Sequence, residues 1–362
     1  MVDRSAADEL CGAQSPIEEP PSHRSHDPRN NLKRSDPFQF GSRYLSQEDD
    51  VFEFNAWDHV ETDDDYKKHV ENQIARQREA PVSDFDKGRF NGDPVKWWNL
   101  FYKNNTSKFF KDRKWLQQEF PILTELSHAA SPPATIVEIG AGAGNAVFPI
   151  LAHNQNPRLK VHAYDFSQKA VELIRTHADY EPSHLVAETW DVAGNNLPPG
   201  LVSGTVDIVL MIFVFSALSP MQWVQAIWNV HQMLKPGGEV LFRDYGRGDL
   251  AQVRFKKGRY MDENFYVRGD GTRVYFFEKD QLANIWSHVD CASKPVSLNM
   301  VTSERQSVQA HGSTTPNSAD SGFDVVDLGV DRRLLVNRQR KLKMYRCWLQ
   351  GRFRKKDVAT GG

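Results

Sequence analysis

Apolar positions along the chain change their rhythm twice. Residues 1–40 are polar and rich in Pro, Asp and Arg, with no sustained apolar period, a composition that predicts disorder. Residues 41–130 are dense in aromatic side chains. From about residue 134, short β-branched runs alternate with helical patterns, the rhythm of a βα-repeating parallel sheet that continues through a third stretch, 131–356. TIVEI (135–139) predicts a first strand, with a helix from Gly144 onward. KVHAY (160–164) predicts a second strand, followed by a helix that Ser167 can cap. HLVAETW reads as a third strand, and VDIVLMIF (206–213), apolar without interruption, as one buried on both faces. Ser219-Pro220 opens a helix through Met233, Lys235-Pro236-Gly237-Gly238 ends it, and EVLFRDY (239–245) is the next strand. NFYVRGDGTRVYFF (264–277) reads as a hairpin, with Gly-Asp-Gly supplying the turn between alternating aromatics. Residues 303–322 form a low-complexity polar insert, expected to be a mobile loop. Beyond it, the stretch 332–356 is expected to add an edge strand to the sheet and to expose its charges.

Composition changes this picture little. With 362 residues, 40% hydrophobic and 25% charged, the chain can bury a sizeable core. No apolar run is long enough to span a bilayer, and the N-terminus has neither a secretory signal nor the character of a mitochondrial transit peptide. Cys11, Cys291 and Cys347 are isolated, with no CxxC pair and no zinc spacing. The expectation is therefore no metal, no membrane, and a reducing compartment, cytosol or nucleus, of which the cytoplasm is taken.

Charge is more informative. Residues 1–65 hold 16 acidic against 6 basic residues, whereas 332–356 hold 11 Lys and Arg and no acid. Such a split suggests an anionic partner for the basic end, the alternative being a solvated charged face.

The stretch VEIGAGAGN (137–145) raises the question of a ligand. A dinucleotide fingerprint needs a third glycine where Asn145 stands, so the pattern is E-x-G-x-G-x-G, led by Glu138. That carboxylate suits a ligand with a cationic amino-acid end better than a pyrophosphate. Gly140 and Gly142 form the turn; Asp165 closes the second strand, where a carboxylate commonly takes ribose hydroxyls; Asp191 ends the third, placed for an adenine edge. Three carboxylates and no phosphate-binding lysine describe S-adenosyl-L-methionine better than NAD.

Three flanking segments bear on the substrate. Residues 96–120 carry eight aromatics, partly core, in a segment able to lay a Trp and a Tyr over the cofactor as a lid while Lys108, Lys111 and Arg113 face phosphates. The hairpin would hang over the carboxyl edge of the sheet with Arg268 and Arg273 at the substrate entrance, unless it is a plain surface hairpin. The basic tail, its cations interleaved with aromatics, suits RNA.

Together WWNLFYK and FFKDRKWL (97–116), EIGAGAGN (138–145), YDFS (164–167), IFVFSALSP (212–220), LKPGGEVLFRDYG (234–246) and ENFYVRGDGTRVYFF (263–277) resemble the tRNA N3-methylcytidine methyltransferases. FEFNAWDHVE (52–61) and the closing VNRQRKLKMYRCWLQGRF look like the branch acting on threonine-type, sometimes arginine-type, tRNAs. The likeness covers roughly residues 40–355 apart from the polar insert, with Ala141 where the family usually has Cys. It implies a class I S-adenosylmethionine-dependent methyltransferase, with a Rossmann-like seven-stranded α/β sheet, that forms 3-methylcytidine at position 32 of the anticodon loop. Residues 41–130 would then bind tRNA and cover the cofactor, and the anticodon stem-loop would be the partner, with a helper such as an aminoacyl-tRNA synthetase. By position, the family's cofactor contacts fall on Trp98, Tyr102, Gly140, Asp165, Asp191, Val192 and Ile212. Asp244 and Tyr245 of RDYG lie at the methyl-transfer end, and Arg243, Arg338 and Arg346 face the tRNA.

The chemistry is consistent with this. Methylation at pyrimidine carbon 5 requires a cysteine nucleophile, and no cysteine sits near a motif loop. Methylation of an exocyclic amine typically uses an Asn/Asp-Pro-Pro-aromatic clamp, where this chain has Ile212-Phe213-Val214-Phe215. Cytosine N3 has a free lone pair and needs no general base. Asp244 is the candidate for stabilising the developing cation, with Tyr245 as stacking or hydrogen-bond partner; the alternative is that Asp244 caps a strand end and pairs with Arg243. A methyltransferase acting on a small molecule or protein, or a non-catalytic RNA-binding scaffold, are the competing readings.

Overall fold

A computed structural model describes residues 43–107, 109–291, 294–295 and 322–356. The segment 1–40 and all of the polar insert but Gly322 lie outside the described residues.

The apolar runs become strands at the expected places. β2 (Ala134–Ile139), β3 (Leu159–Asp165), β4 (Leu185–Thr189), β5 (Val206–Ile212) and β6 (Leu234–Tyr245) pair in parallel in the order β4-β3-β2-β5-β6. Their side chains alternate between two cores. Val137, Ile139, Val209, Met211, Val240 and Phe242 pack in one, and Ile136, Ile208, Leu210 and Leu241 in the other. Both faces are covered, which is why these strands read as continuous apolar runs. The helix after the glycines, α4 (Val147–Ala152), starts three residues later than expected, because Gly142 and Gly144 are left-handed. Ser167 caps α5 (Gln168–Arg175) as expected, accepting from the Ala170 N–H. After β5 a short 3-10 turn leads into α6 (Trp223–Met233).

The sheet is completed by β10 (Phe323–Asn337) and β11 (Leu342–Lys355). β11 lies between β6 and β10 and is antiparallel to both. With β10 the sheet has the seven strands of the class I methyltransferase fold, and β1 (Ala56–Asp58) adds an eighth against β10. The basic tail is therefore not an edge, since β11 is interior. Nor are most of its charges exposed. At least six of its eleven cations pair with acids: Arg332 with Glu61, Arg333 with Asp58, Arg346 with Asp249, Arg352 and Arg354 with Glu239, and Lys356 with Asp324. Arg338, in the β10–β11 turn, is exposed.

Arg243, expected to face tRNA, is 2% exposed. It pairs with Asp331, donates to Gln350, and lies 5.0 and 4.8 Å from the rings of Trp115 and Trp348. A guanidinium buried in this way is satisfied internally and holds β6, β10 and β11 together.

Before the sheet, α1 (Asp64–Arg78) begins on Asp63, whose carboxylate accepts from the Tyr66 N–H. Then come α2 (Asp84–Gly92) and α3 (Pro94–Asn105). The hairpin, β8 (Phe265–Val267) and β9 (Arg273–Tyr275), gains a third strand, β7 (Tyr260–Asp262).

Candidate active site

The chain turns outward through β3 and β4, then returns to build β5 and β6 on the other side of β2. Ligands of open α/β sheets bind at the carboxyl ends where strand order reverses in this way. A cavity of about 210 Å³ opens there.

Its floor is the glycine turn after β2. Gly140 (φ 65°) and Gly142 (φ 58°) are left-handed, and a Cβ on Gly142 would stand 2.5 Å from the Tyr102 hydroxyl oxygen. Only glycine fits both constraints. The Gly142 N–H donates to Asp165 Oδ2 at 2.9 Å and the Ser167 N–H to Oδ1 at 2.8 Å. Burial pushes the Asp165 carboxyl up to about 6, against the pull of those two donors. Past β4, Asp191 and Val192 line the same cavity. Asn229 of α6 fixes that loop by donating to the carbonyls of Val192 (2.7 Å) and Gly194 (2.8 Å).

Glu138 lies fully buried behind the turn. Its Oε1 is 3.1 Å from Arg113 Nη1, and its Oε2 is buried with no hydrogen-bond partner. Burial pushes this carboxyl up to about 8, with Arg113 pulling the other way. Arg113, expected at a phosphate, instead lines the cavity and donates to Glu138. Asn145, in the place of the missing third glycine, holds the segment that carries it: the Arg113 N–H donates to the Asn145 carbonyl at 2.8 Å, and Asn145 Nδ2 to Asp112 at 3.2 Å.

α3 lines one side of the cavity. Trp98 and Tyr102 face the cavity with rings stacked at 6.0 Å, and burial raises the Tyr102 phenol well above its ordinary value. Asn99 clamps the helix to the core by accepting from the Ser167 hydroxyl (2.8 Å) and the Lys169 N–H (3.2 Å). Of the neighbouring cations, Lys111 is exposed and Lys108 lies outside the described residues.

Three other expectations are corrected. Ile212 is 1% exposed and belongs to the core; the wall is made by Phe213, left-handed at φ 59°, and Val214. Arg273 is buried rather than at an entrance, donating to Asn91 (2.9 Å), the Ala217 carbonyl (3.1 Å) and Gln222 (3.1 Å). Burial brings its guanidinium down to about 10. Asp244 is fully buried and does not line the cavity. Its Oδ2 accepts from the Ser216 N–H at 2.8 Å and its Oδ1 from the Tyr245 N–H at 2.9 Å, and burial pushes it up to about 6. It therefore holds in place the turn whose residues Val214, Ser216 and Ala217 form the wall.

Tyr245 does reach the cavity, its ring 5.0 Å from that of Phe213 and 5.6 Å from the Arg268 guanidinium. Cys291 and Cys347 are buried, their thiols pushed up to about 12 by burial, and neither lines the cavity. Cys11 lies outside the described residues. Among the described residues no group of His, Cys, Asp and Glu could hold a metal, and no helix is long and apolar enough to cross a membrane.

These residues fit S-adenosylmethionine. Arg113, paired with the buried Glu138, offers a cation to the carboxylate of an amino-acid end, Asp165 and Asp191 offer acceptors to a nucleoside, and the aromatics of α3 offer ring faces.

Residues 137–240 match the family model of a methyltransferase domain. The tRNA(Thr) (cytosine(32)-N(3))-methyltransferase of Saccharomyces cerevisiae is 46% identical over 344 residues, 94% of this chain and 50% of that protein, so the chain spans about half that relative's length. The tRNA N(3)-methylcytidine methyltransferase trm140 of Schizosaccharomyces pombe is 42% identical over 87% of this chain and 92% of its own. The Drosophila melanogaster tRNA N(3)-methylcytidine methyltransferase Mettl2 is 38% identical over 89% and 90%. Likeness of this degree over most of both chains places this chain in the tRNA N3-methylcytidine methyltransferase family.

Proposed function

We propose that this protein transfers the methyl group of S-adenosylmethionine to N3 of cytidine 32 in a tRNA anticodon loop, in threonine-type and in some cases arginine-type tRNAs. One observation carries the reading: the cavity that fits the cofactor continues to Phe213, Tyr245 and Arg268, so aromatic faces stand at its far end. When bound, the cofactor supplies an electrophilic sulfonium methyl. N3 lies on the Watson–Crick edge and is reached only when the base is turned out of its stack. The Phe213 and Tyr245 rings give such a base a surface to rest on. Since the N3 lone pair is free at neutral pH, orientation by the chain does most of the work. Asp244 contributes by positioning the wall turn, Tyr245 by touching the base. No cysteine among the described residues lines the cavity, which disfavours the covalent route to carbon 5.

Residues 41–130 serve in this reading as lid and tRNA-binding segment, and the exposed Lys111, Arg338, Arg340 and Lys341 are among the cations that can meet phosphates. The cytoplasm is the compartment that suits a tRNA substrate, and a helper such as an aminoacyl-tRNA synthetase is part of the proposal. Incubation of the protein with tRNA and labelled S-adenosylmethionine, nuclease digestion and mass spectrometry should yield 3-methylcytidine. Label in protein or small molecules but in no RNA would refute the reading.

A further inference from the structure

Methyl transfer to N3 creates a charge inside the cavity. The N3 lone pair forms a bond to the methyl carbon, the C–S bonding pair leaves with sulfur, and sulfur becomes a neutral thioether. No proton moves in this step. The positive charge passes from sulfur to the N3–C4–N4 system of the base. An anion beside that system stabilises the transition state more than the ground state. Asp244 does not reach the cavity.

We infer that Asp270, at the tip of the β8–β9 hairpin, accepts a hydrogen bond from the exocyclic amine of the target cytosine, selecting cytosine over uracil and balancing the charge that appears on the ring. The inference rests on the cytidine-N3 reading above.

Three carboxylates line the cavity: Asp165, Asp191 and Asp270. The first two belong to the strand ends beside the glycine turn. Asp165 receives the N–H groups of Gly142 and Ser167, and Asp191 that of Ala193. Asp270 comes from a different element, the tip of the β8–β9 hairpin, where Arg268 and Thr272 line the same cavity. Arg268, two residues earlier, places its guanidinium 5.6 Å from the Tyr245 ring centre, which fixes where this tip sits.

The tip is seated, not loose. Gly271 (φ 85°) lies so close to the lid that a Cβ there would stand 2.2 Å from the Trp97 ring. Thr272 donates to Asp270 Oδ1 through both its N–H (2.9 Å) and its hydroxyl (2.7 Å), orienting the carboxylate. Among the described residues, Oδ2 receives no hydrogen bond and Arg268 makes no ion pair with it; Arg268 Nη1 instead donates to the Arg273 carbonyl at 3.0 Å. An oriented carboxylate with one oxygen open to the cavity is the right acceptor for an amine. Uracil presents a carbonyl at C4, so oxygen would face oxygen, an arrangement that rejects the base.

Asp270 is exposed, and asparagine keeps the Oδ1 acceptor that Thr272 uses, so Asp270→Asn should fold. Single-turnover methylation is measured at saturating S-adenosylmethionine on two anticodon stem-loop RNAs. One carries cytidine at the target position, and the other a 2-pyrimidinone ribonucleoside, which lacks the amine but keeps N3. Asp270→Asn should slow the cytidine RNA at least tenfold relative to wild type, with S-adenosylhomocysteine affinity within twofold. On the pyrimidinone RNA variant and wild type should differ much less. An unchanged rate on cytidine, or equal slowing on both RNAs, overturns the inference while leaving the cytidine-N3 reading in place. A wild-type protein that methylates neither RNA brings down that reading and this inference with it.

Discussion

Replacing Asp244 by asparagine separates what a buried carboxylate contributes to stability from what it contributes to geometry. An acid pushed up to about 6 is held ionised at neutral pH at a cost of about 3 kcal/mol relative to water. Asparagine removes that penalty and also removes a charge-assisted hydrogen bond, worth about 1.5–3 kcal/mol. The two nearly cancel, leaving a net change of at most about 1.5 kcal/mol, or roughly 5 °C in Tm for a domain of this size. Geometry does not cancel. The carboxylate accepts from two N–H groups, of Ser216 at 2.8 Å and Tyr245 at 2.9 Å, and an amide has one acceptor oxygen for them. Whichever donor meets the amide nitrogen is repelled, and the turn carrying Val214, Ser216 and Ala217 shifts against the cavity. Displacements of about 1 Å at a site governed by orientation lower rates on the order of 10²-fold. Single-turnover methylation beside a thermal melt of the same sample should therefore show a large rate loss with a small change in Tm. Wild-type turnover would refute the positioning role, and a melt lowered by more than about 10 °C would show that the carboxylate serves the framework instead.

Two further outcomes follow from the same geometry. Gly142→Ala forces a side chain to φ 58° and into the Tyr102 hydroxyl, so calorimetry should detect no S-adenosylhomocysteine binding while circular dichroism is unchanged. Asp165 and Asp244 both have folded values raised from 3.8 to about 6, so the fold binds their protons more tightly than the unfolded chain does. Their contribution is fully present below 3.8 and is lost as pH rises through about 6, so the melting temperature of wild type minus that of Asp244→Asn should fall between pH 4 and 7, and a flat or rising difference would contradict the burial of this charge.

Much of the frame was legible because continuous apolar runs and glycine spacing are local signals. β2 through β6, the Ser167 cap and the hairpin sit where spacing put them, and Trp98, Tyr102, Asp165 and Asp191 meet in one cavity. Charge was the part that could not be read. A run of cations carries no record of the acids that fold against it, and Arg332 finds Glu61 across 271 positions. Arg243 and Asp244 are neighbours in RDYG, yet both are enclosed, whereas Tyr245 beside them is not. Burial decides which member of a motif meets a ligand, and burial depends on β10 and β11, which lie far off in the chain. The shift from Ile212 to Phe213 is of the same kind: a left-handed residue ends the strand and turns the next side chain into the wall.

The insertion of residues 342–355 between β6 and β10 also constrains the order of assembly. Until the ribosome has delivered them, Glu239–Tyr245 must present a bare flank of unbonded backbone, much of it apolar. Such a flank invites pairing with other nascent chains. Chaperone demand during translation should accordingly peak just before this last wedge emerges and subside once it slots home.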